Sequence, residues 1–469
     1  MFAGNLTVDP AARATAVEHP EIAEVRSTRS GLIRNSRQYI VSRRYDRLVR
    51  IRNLIRDGNH RGEPRLTCAI CGVPVYLVSS QRKAFFFRHT IEDGSCPAQT
   101  RSRWSYEQIK AMKYHGAQES DAHRRMKTLL ERSLAADPGA SEIFQEKTWR
   151  AAGCPTSYRR PDVQAVYGGI RLAFEAQLST TFLDVVVGRR AFYRDERALL
   201  IWLLPRFDPS YRPLTQDDIL FTNNHNILVV NEQTAKVSEA NGQCTFRCYY
   251  REPYLDGDVI SEKWSECLVP LVNLQFDLSG QRAFWFDFDC EISRLHEELA
   301  AQQARRGDEL RRDFFAFWER NGGWEDCAVD QDEQWQSLRE RFVEIGVDVP
   351  THHKAAAFRV AVSALMSAKL GRPVGSQFQK LVQVAHNLAD SHKGVLRAFG
   401  WALRVYGTNA IIEQEDVRRR WREKALRIRA AMRSGDAQYE ADMTWSAALR
   451  FLFPELADRI GAVEPAPAS

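Results

Sequence analysis

The sequence predicts an α+β protein, and three observations predict it. Residues 119–204 carry the element order α-β-β-β-α-β. A hairpin pattern threaded through cysteines precedes them at 68–96. From Ile292 to about residue 460 the pattern is helical. The expected organisation is a basic N-terminal segment (1–65), a small zinc-ribbon-like β element (66–117), a core with a β-rich extension (118–290), an all-helical C-terminal domain (291–460) and a Pro/Ala tail (461–469). At about 100–200 residues per domain, 469 residues suit two to four domains.

The elements follow in order. Residues 1–20 show little periodicity and are expected to be a loose tail. Residues 33–55 are Arg-rich with scattered Ile, Leu, Tyr and Val, and read as mixed strand and helix. Residues 73–78 and 84–87 read as a short hairpin, and 104–114 as an aromatic, basic connector. Residues 120–134 form a helix, because Ala122, Met126, Leu129, Leu130 and Leu134 recur at helical spacing; Asp137-Pro138-Gly139 stops it. Residues 143–151 and 158–167 read as strands, and Gly168-Gly169 turns the chain into a third strand at 170–178. A helix is expected at 181–195, then a buried strand at 199–204 closed by Pro205. Residues 206–290 read as β-rich, with turn signals at Asn223-Asn224 and Asn241-Gly242.

Composition excludes several classes. Hydrophobic residues at 44% and charged residues at 27% exclude a wholly disordered or fibrous chain. The longest strongly apolar run, 199–204, is far short of the roughly 18 residues a spanning helix needs, so no membrane partner is expected. There is no basic-then-apolar start with a small-residue cleavage site, and nine cysteines do not suggest a disulfide framework; the expected location is cytoplasmic. Lysine plus arginine (66) exceed aspartate plus glutamate (60) by six. The excess lies at the front: residues 1–120 hold 20 basic and 11 acidic residues, net +9, and the remainder, 46 against 49, nets −3. A basic front end suits a polyanion such as DNA; a well-solvated surface is the other reading.

Cys68-x2-Cys71, His89 and Cys96 have the spacing of a closed, structural Cys3His zinc site. Gly72 lets the backbone turn tightly around the metal. A redox Cys-x-x-Cys is the rival, but it should open a helix, and Pro74 with the hairpin pattern argues against that. Cys244 and Cys248 read as ordinary buried strand cysteines.

Strands two and three carry Arg160-Pro161-Asp162 and Phe174-Glu175-Ala176-Gln177. Alternation puts Leu172, Phe174, Ala176 and Leu178 on one face and Glu175, Gln177 and Ser179 on the other. Facing acids on paired strands are costly unless a cation neutralises them, and Mg²⁺ is the natural candidate. Taken alone, the pattern is weak, and solvated surface acids are its more ordinary explanation. The element order with acids on strands two and three resembles the restriction-endonuclease-like, or PD-(D/E)XK, nuclease core. Five motifs in order resemble the competence protein CoiA-like family, a bacterial branch of these nucleases: Cys68/Cys71 with Phe86-Phe87-Arg88-His89, the Glu119-Ser120-Asp121-Ala122-His123 to Lys127 helix start, Arg160-Pro161-Asp162-Val163, Phe174-Glu175-Ala176-Gln177-Leu178-Ser179, and the apolar Ile201-Trp202-Leu203-Leu204 after a helix bearing Arg190 and Tyr193. The likeness covers roughly residues 25–205.

The resemblance implies a metal-dependent DNA nuclease in which Asp162 and Glu175 hold Mg²⁺ or Mn²⁺. Gln177 stands where the wider motif has lysine and can orient groups only by hydrogen bonds. Glu119 would reach the metal, or serve only as a helix-start acid. His123, one turn on, would touch phosphate or Glu119, or pack as a structural histidine. Arg190 and Tyr193 would line the cleft or pack on the helix surface. Further on, Arg418 to Arg433 hold eight basic residues around Trp421, a phosphate grip or a solvated helix face; Trp401, Trp421 and Trp445 read as core anchors. Two functions stay in view: a nuclease in DNA processing, uptake or antiphage defence, and a non-catalytic nucleic-acid-binding protein with a zinc module and a vestigial core. DNA is the expected partner; a homo-oligomer or a protein bound to the helical domain stays open.

Overall fold

A computed structural model describes residues 8–80, 82–92, 96–98, 121–178, 183–321, 329–442 and 444–460. The chain is mixed α+β and divides into two units, 1–297 and 298–469.

The first unit opens with β1 (Glu24–Ser27), β2 (Ile33–Asn35), α1 (Ser36–Val41), α2 (Tyr45–His60), β3 (Leu66–Cys68), β4 (Val75–Ser79) and β5 (Phe85–His89). Strands β2-β1-β3 form a small antiparallel sheet, and β4–β5 the expected hairpin. The segment expected to be a loose tail is held from residue 8 onward: Ala14 is buried, its N–H donates to Arg43 O at 2.9 Å, and Ala16 bridges Phe85. Short runs with no period of their own are ordered here by pairing to distant backbone. Helix α2 buries Tyr45, Leu48, Val49 and Ile55 in one core with Val75, Leu77, Phe85 and Phe87 of the hairpin and Phe207, Ile219 and Phe221 further on.

Next come α3 (Asp121–Ala135), β6 (Ala140–Gln145), β7 (Trp149–Ala151), β8 (Cys154–Arg159), β9 (Val163–Tyr167), β10 (Ile170–Ala176), α4 (Leu183–Asp195) and β11 (Leu199–Leu204). Two expected strands are each split. Glu146, with φ of 51°, turns the first; Pro161, which has no N–H to donate to a ladder, interrupts the second. The fragments β7 and β8 pair with each other, leaving β6, β9 and β10 for the main sheet. Gly168 and Gly169, at φ of 55° and 79°, make the tight β9–β10 turn.

The chain continues through α5 (Leu214–Thr222), β12 (Asn226–Val229), α6 (Glu232–Asn241), β13 (Thr245–Asp256), β14 (Val259–Pro270), β15 (Gln275–Asp277) and β16 (Arg282–Phe284). This corrects the β-rich reading of 206–290, because two helices interleave there. Asn231 caps α6, its side chain accepting from the N–H of Gln233 and Thr234 while Thr234 Oγ1 accepts from Asn231 N–H. The strands are no separate extension: one seven-stranded sheet runs β14-β13-β12-β11-β10-β9-β6, with β10, β11 and β12 parallel and the other pairs antiparallel. One face, bearing Val163, Phe174, Ile201 and Leu203, packs under α3 with Met126, Leu130 and Leu134. The other face, bearing Ala173 and Leu200, packs under α4 with Phe192 and Tyr193.

The second unit is helical, as expected: α7 (Phe288–Asn321) runs into it, followed by α8 (Val329–Glu344), α9 (Ala356–Leu370), α10 (Leu381–Ser391), α11 (Lys393–Val405), α12 (Asn409–Glu415), α13 (Arg420–Arg433) and α14 (Ser446–Leu452). Trp401, Trp421 and Trp445 pack against its core, which accords with the anchor reading. No helix among the described residues is long and apolar enough to cross a membrane.

One buried charge cluster joins the layers of the first unit. Asp217 on α5, 0% exposed, accepts from Tyr45 Oη (2.7 Å), Lys83 Nζ (2.6 Å) and Arg212 Nε (2.8 Å), and both cations are themselves buried. Removing one partner of such a cluster leaves an uncompensated buried charge, which costs about 3–5 kcal/mol. Asp217→Ala should therefore lower unfolding stability by about that amount in urea titrations of the full chain, whereas Tyr45→Phe, which deletes one hydroxyl, should cost about 1–2 kcal/mol.

Candidate metal centre and carboxylate cleft

The cysteine cluster forms where β3 ends and the hairpin returns. Cys68 closes β3, and its N–H and C=O bond Val73 O (2.9 Å) and Gly72 N–H (3.0 Å), with Gly72 at φ of 75°. No helix opens at this knuckle, unlike a redox Cys-x-x-Cys. His89 ends β5 opposite Val75, and Cys96 follows in the next loop. One ligand atom from each of Cys68, Cys71, His89 and Cys96 lies within 4.8 Å of all the others. Cys71 Sγ and His89 Nε2 are 3.4 Å apart, and Glu92 Oε1 lies 3.6 Å from His89 Nδ1, where a carboxylate orients a ligating imidazole. Burial raises the Cys68 thiol, but the N–H groups of Cys71 and Ile70 together with His89 outweigh it and hold it at about 7. Burial, with Cys68 and Cys96 as neighbours, pushes Cys71 up to about 11. The four residues can hold a metal such as zinc in a closed site.

The carboxylates sit at facing register positions of the β9–β10 pair. Val163 pairs with Phe174, so Asp162, the residue before β9, lies across from Glu175. Asp162 Oδ2 accepts from Ala176 N–H at 2.7 Å and lies 3.1 Å from His123 Nε2 on α3. Glu175 is 3% exposed, on the sheet face opposite Phe174. One of its oxygens pairs with Arg189 of α4; the other, Oε1, has no hydrogen-bond partner among the described residues. Trp202, registered beside Glu175 on β11, carries an indole N–H that is likewise unpartnered. Gln177, buried just past β10, donates its backbone N–H to Leu203 O at 2.8 Å. Glu119, Ser179 and the connector at 104–114 lie outside the described residues.

Of the two readings of Arg190, packing accords with the structure: it donates to Gly280 O at 2.7 Å, on the far side of α4 from the carboxylates. Arg189 takes its place, because it shares a stripe with Tyr193 four residues on, whereas the next residue is turned by about 100°. The Tyr193 hydroxyl has no hydrogen-bond partner among the described residues, and its pKa is raised by burial. Part of the basic front end is paired with acids inside the first unit. Arg44 pairs with Asp46 and Glu262, Arg50 with Asp289, Arg52 with Asp218 and Arg56 with Asp184. Arg88 is half-buried. Lys127, which closes the same motif one turn after His123, pairs with Glu146, which also holds Arg160. Cys244 and Cys248 are buried with thiols pushed up by burial, as read.

The chain resembles two sequence families. A domain of unknown function (DUF7830) matches residues 31–103, which include all four cysteine-cluster ligands. A second domain of unknown function (DUF6035) matches residues 106–289, which include Asp162 and Glu175. Searches of curated proteins and of solved structures give no match.

Elemental analysis of the purified chain should find about one zinc per molecule, as a closed four-ligand site requires. Cys71→Ser should lose it and expose the 8–98 region to limited proteolysis, since ligand binding and local folding are coupled. A metal-free chain that resists proteolysis equally well would refute the assignment.

Proposed function

We propose that the chain is a metal-dependent deoxyribonuclease of the PD-(D/E)XK type, acting in DNA processing, uptake or defence against foreign DNA. The observation that carries this reading is the buried Glu175 with one orphaned oxygen, across a strand pair from Asp162. The connectivity supports it: helix α3, the β6-β9-β10 meander, helix α4 and parallel β11 follow the order of that nuclease core. The motif resemblance to the CoiA-like family supports it independently.

The donor set fits a hard cation. An orphaned buried acceptor costs about 1–3 kcal/mol, and two carboxylates on adjacent strands repel unless neutralised. Asp162 and Glu175 would hold Mg²⁺ or Mn²⁺, leaving coordination positions for water and phosphate. Bound there, the ion supplies a lowered water pKa and positive charge against the phosphate. The chain's own residues do the rest. His123 and the Ala176 N–H fix the Asp162 carboxylate. Gln177 orients by hydrogen bonds. Arg189 pairs with Glu175 and would be free to donate to phosphate if that carboxylate held the cation. The Trp202 N–H offers a further donor to an anion.

One observation favours the second reading, a nucleic-acid-binding protein around a vestigial core: Arg189 already satisfies half of Glu175 without any metal.

The two readings separate on purified protein with plasmid or linear single-stranded DNA and Mg²⁺ or Mn²⁺. Cleavage should occur, and Asp162→Ala should reduce it at least about 100-fold, the scale of losing a preorganised electrostatic group. Glu175→Ala should also lose cleavage, yet bind DNA without divalent ions as well as the parent or better, because one negative charge is gone and Arg189 is released. Binding without cleavage in the parent selects the second reading. Loss of DNA binding by folded Glu175→Ala would refute a phosphate-facing cleft.

A further inference from the structure

Helix α4 has a second cationic face, turned away from the carboxylates. Arg190 and Arg194 point there into a cleft of about 420 Å³, with Arg50, Arg61 and Arg65 from α2 and the loop after it, and Arg282 from β16. The carboxylates within reach of these six guanidinium groups are four, of which Asp195, 3.9 Å from Arg194, is largely exposed. Asp57 pairs with Arg61 at 2.8 Å and lies 3.7 Å from Arg194. Asp277 pairs with Arg282 at 2.7 Å. Asp289 is shared between Arg50 at 2.9 Å and Arg282 at 3.1 Å.

Two positive charges therefore stay unmatched in one concavity. The Arg65 side chain makes no hydrogen bond or ion pair among the described residues. Arg190, with five N–H donors, has only the Gly280 carbonyl as a described hydrogen-bond acceptor. Burial, with Arg194 and Arg282 close by, holds the Arg190 guanidinium down at about 10 against the pull of Asp57 and Asp277. An arginine nevertheless keeps its proton at neutral pH, so the shortfall is a demand for an anion. The walls are not wholly polar: Leu54, Val187 and Phe221 line the same space. Converging guanidinium groups match phosphate oxygens in geometry as well as charge, and the apolar wall suits a sugar or base. A volume near 420 Å³ lies within the range of small-ligand sites.

We propose that this cleft is a binding site for a phosphate-bearing ligand of nucleotide size, distinct from the carboxylate site on the other stripe of α4. The proposal does not rest on nuclease activity. The same phosphate chemistry comes from two sources, a free nucleotide or one nucleotide of a strand.

The test is isothermal titration of the full chain at fixed low ionic strength, without added divalent ion. The probes are inorganic phosphate, AMP, ATP and a short single-stranded oligonucleotide. Arg190→Ala is the obvious variant, but Arg190 is packed within the fold. The decisive variant is therefore Arg65→Ala/Arg194→Ala, which removes two solvent-reaching cations. ATP should bind, more tightly than AMP and far more tightly than phosphate. The double variant should weaken it at least about tenfold, the scale expected for lost charge-assisted hydrogen bonds. Asp162→Ala should leave ATP affinity within about twofold, which keeps this result separate from the carboxylate site. Binding by the oligonucleotide alone, with the same arginine dependence, assigns the phosphate to a strand and overturns the free-nucleotide source. Absence of binding by all four probes at millimolar concentration, or affinity unchanged in the double variant, overturns the proposal.

Discussion

The Asp217 carboxylate is the point on which the first unit turns. A carboxylate taken wholly out of water is tolerable only if charge and hydrogen bonds surround it. The three groups that do so come from three places in the chain: Tyr45 on α2, Lys83 at the tip of the cysteine-bearing hairpin and Arg212 ahead of α5. Arg212 reaches on to Val8 O at 2.8 Å, tying down the start of the described chain. The hairpin is therefore no appended module. Its aromatic residues Phe85 and Phe87 share a core with Phe221 of α5, and the ion cluster fixes how they meet. A metal held at Cys68, Cys71, His89 and Cys96 would brace the same layer from its outer side.

Layering of this kind also governs charge. The N-terminal 120 residues carry nine excess positive charges and the rest of the chain three excess negative ones. In the fold, arginines of α2 and the residues around it meet acids at 184, 218, 262 and 289. Segregation along the sequence becomes pairing in space. Net charge alone therefore overstates the positive surface of this region. The cations that count for anion binding are those with no acid in ion-pair reach, which in the arginine cleft are Arg65 and Arg190.

Helix α4 links these themes. One stripe brings Arg189 to Glu175 and Tyr193 near Asp162, and the adjacent stripe brings Arg190 and Arg194 to the arginine cleft. A change in how α4 packs would be felt at both.

The sequence by itself determined the local elements whose cause is local. The Cys-x-x-Cys knuckle with its glycine, the helical spacing through Leu134, the Gly-Gly turn, the apolar strand at 199–204 and the helical second unit all follow from nearest-neighbour chemistry. The facing of Asp162 and Glu175 was legible for the same reason, since strand alternation and a tight turn set the register. Only the tertiary structure decided the rest. Pro161 and Glu146 broke strands that composition alone could not divide. The helices α5 and α6 hid behind turn-like asparagines whose capping role shows only once a helix follows. Arg189 rather than Arg190 faces the carboxylates because one residue turns a helix by about 100°, and the packing of Val186, Val187 and Tyr193 sets that phase. The fate of each arginine was likewise open, because an ion pair depends on distance in space, and residues such as Arg44 and Glu262, 218 positions apart in the chain, become neighbours only when the sheet and its layers close.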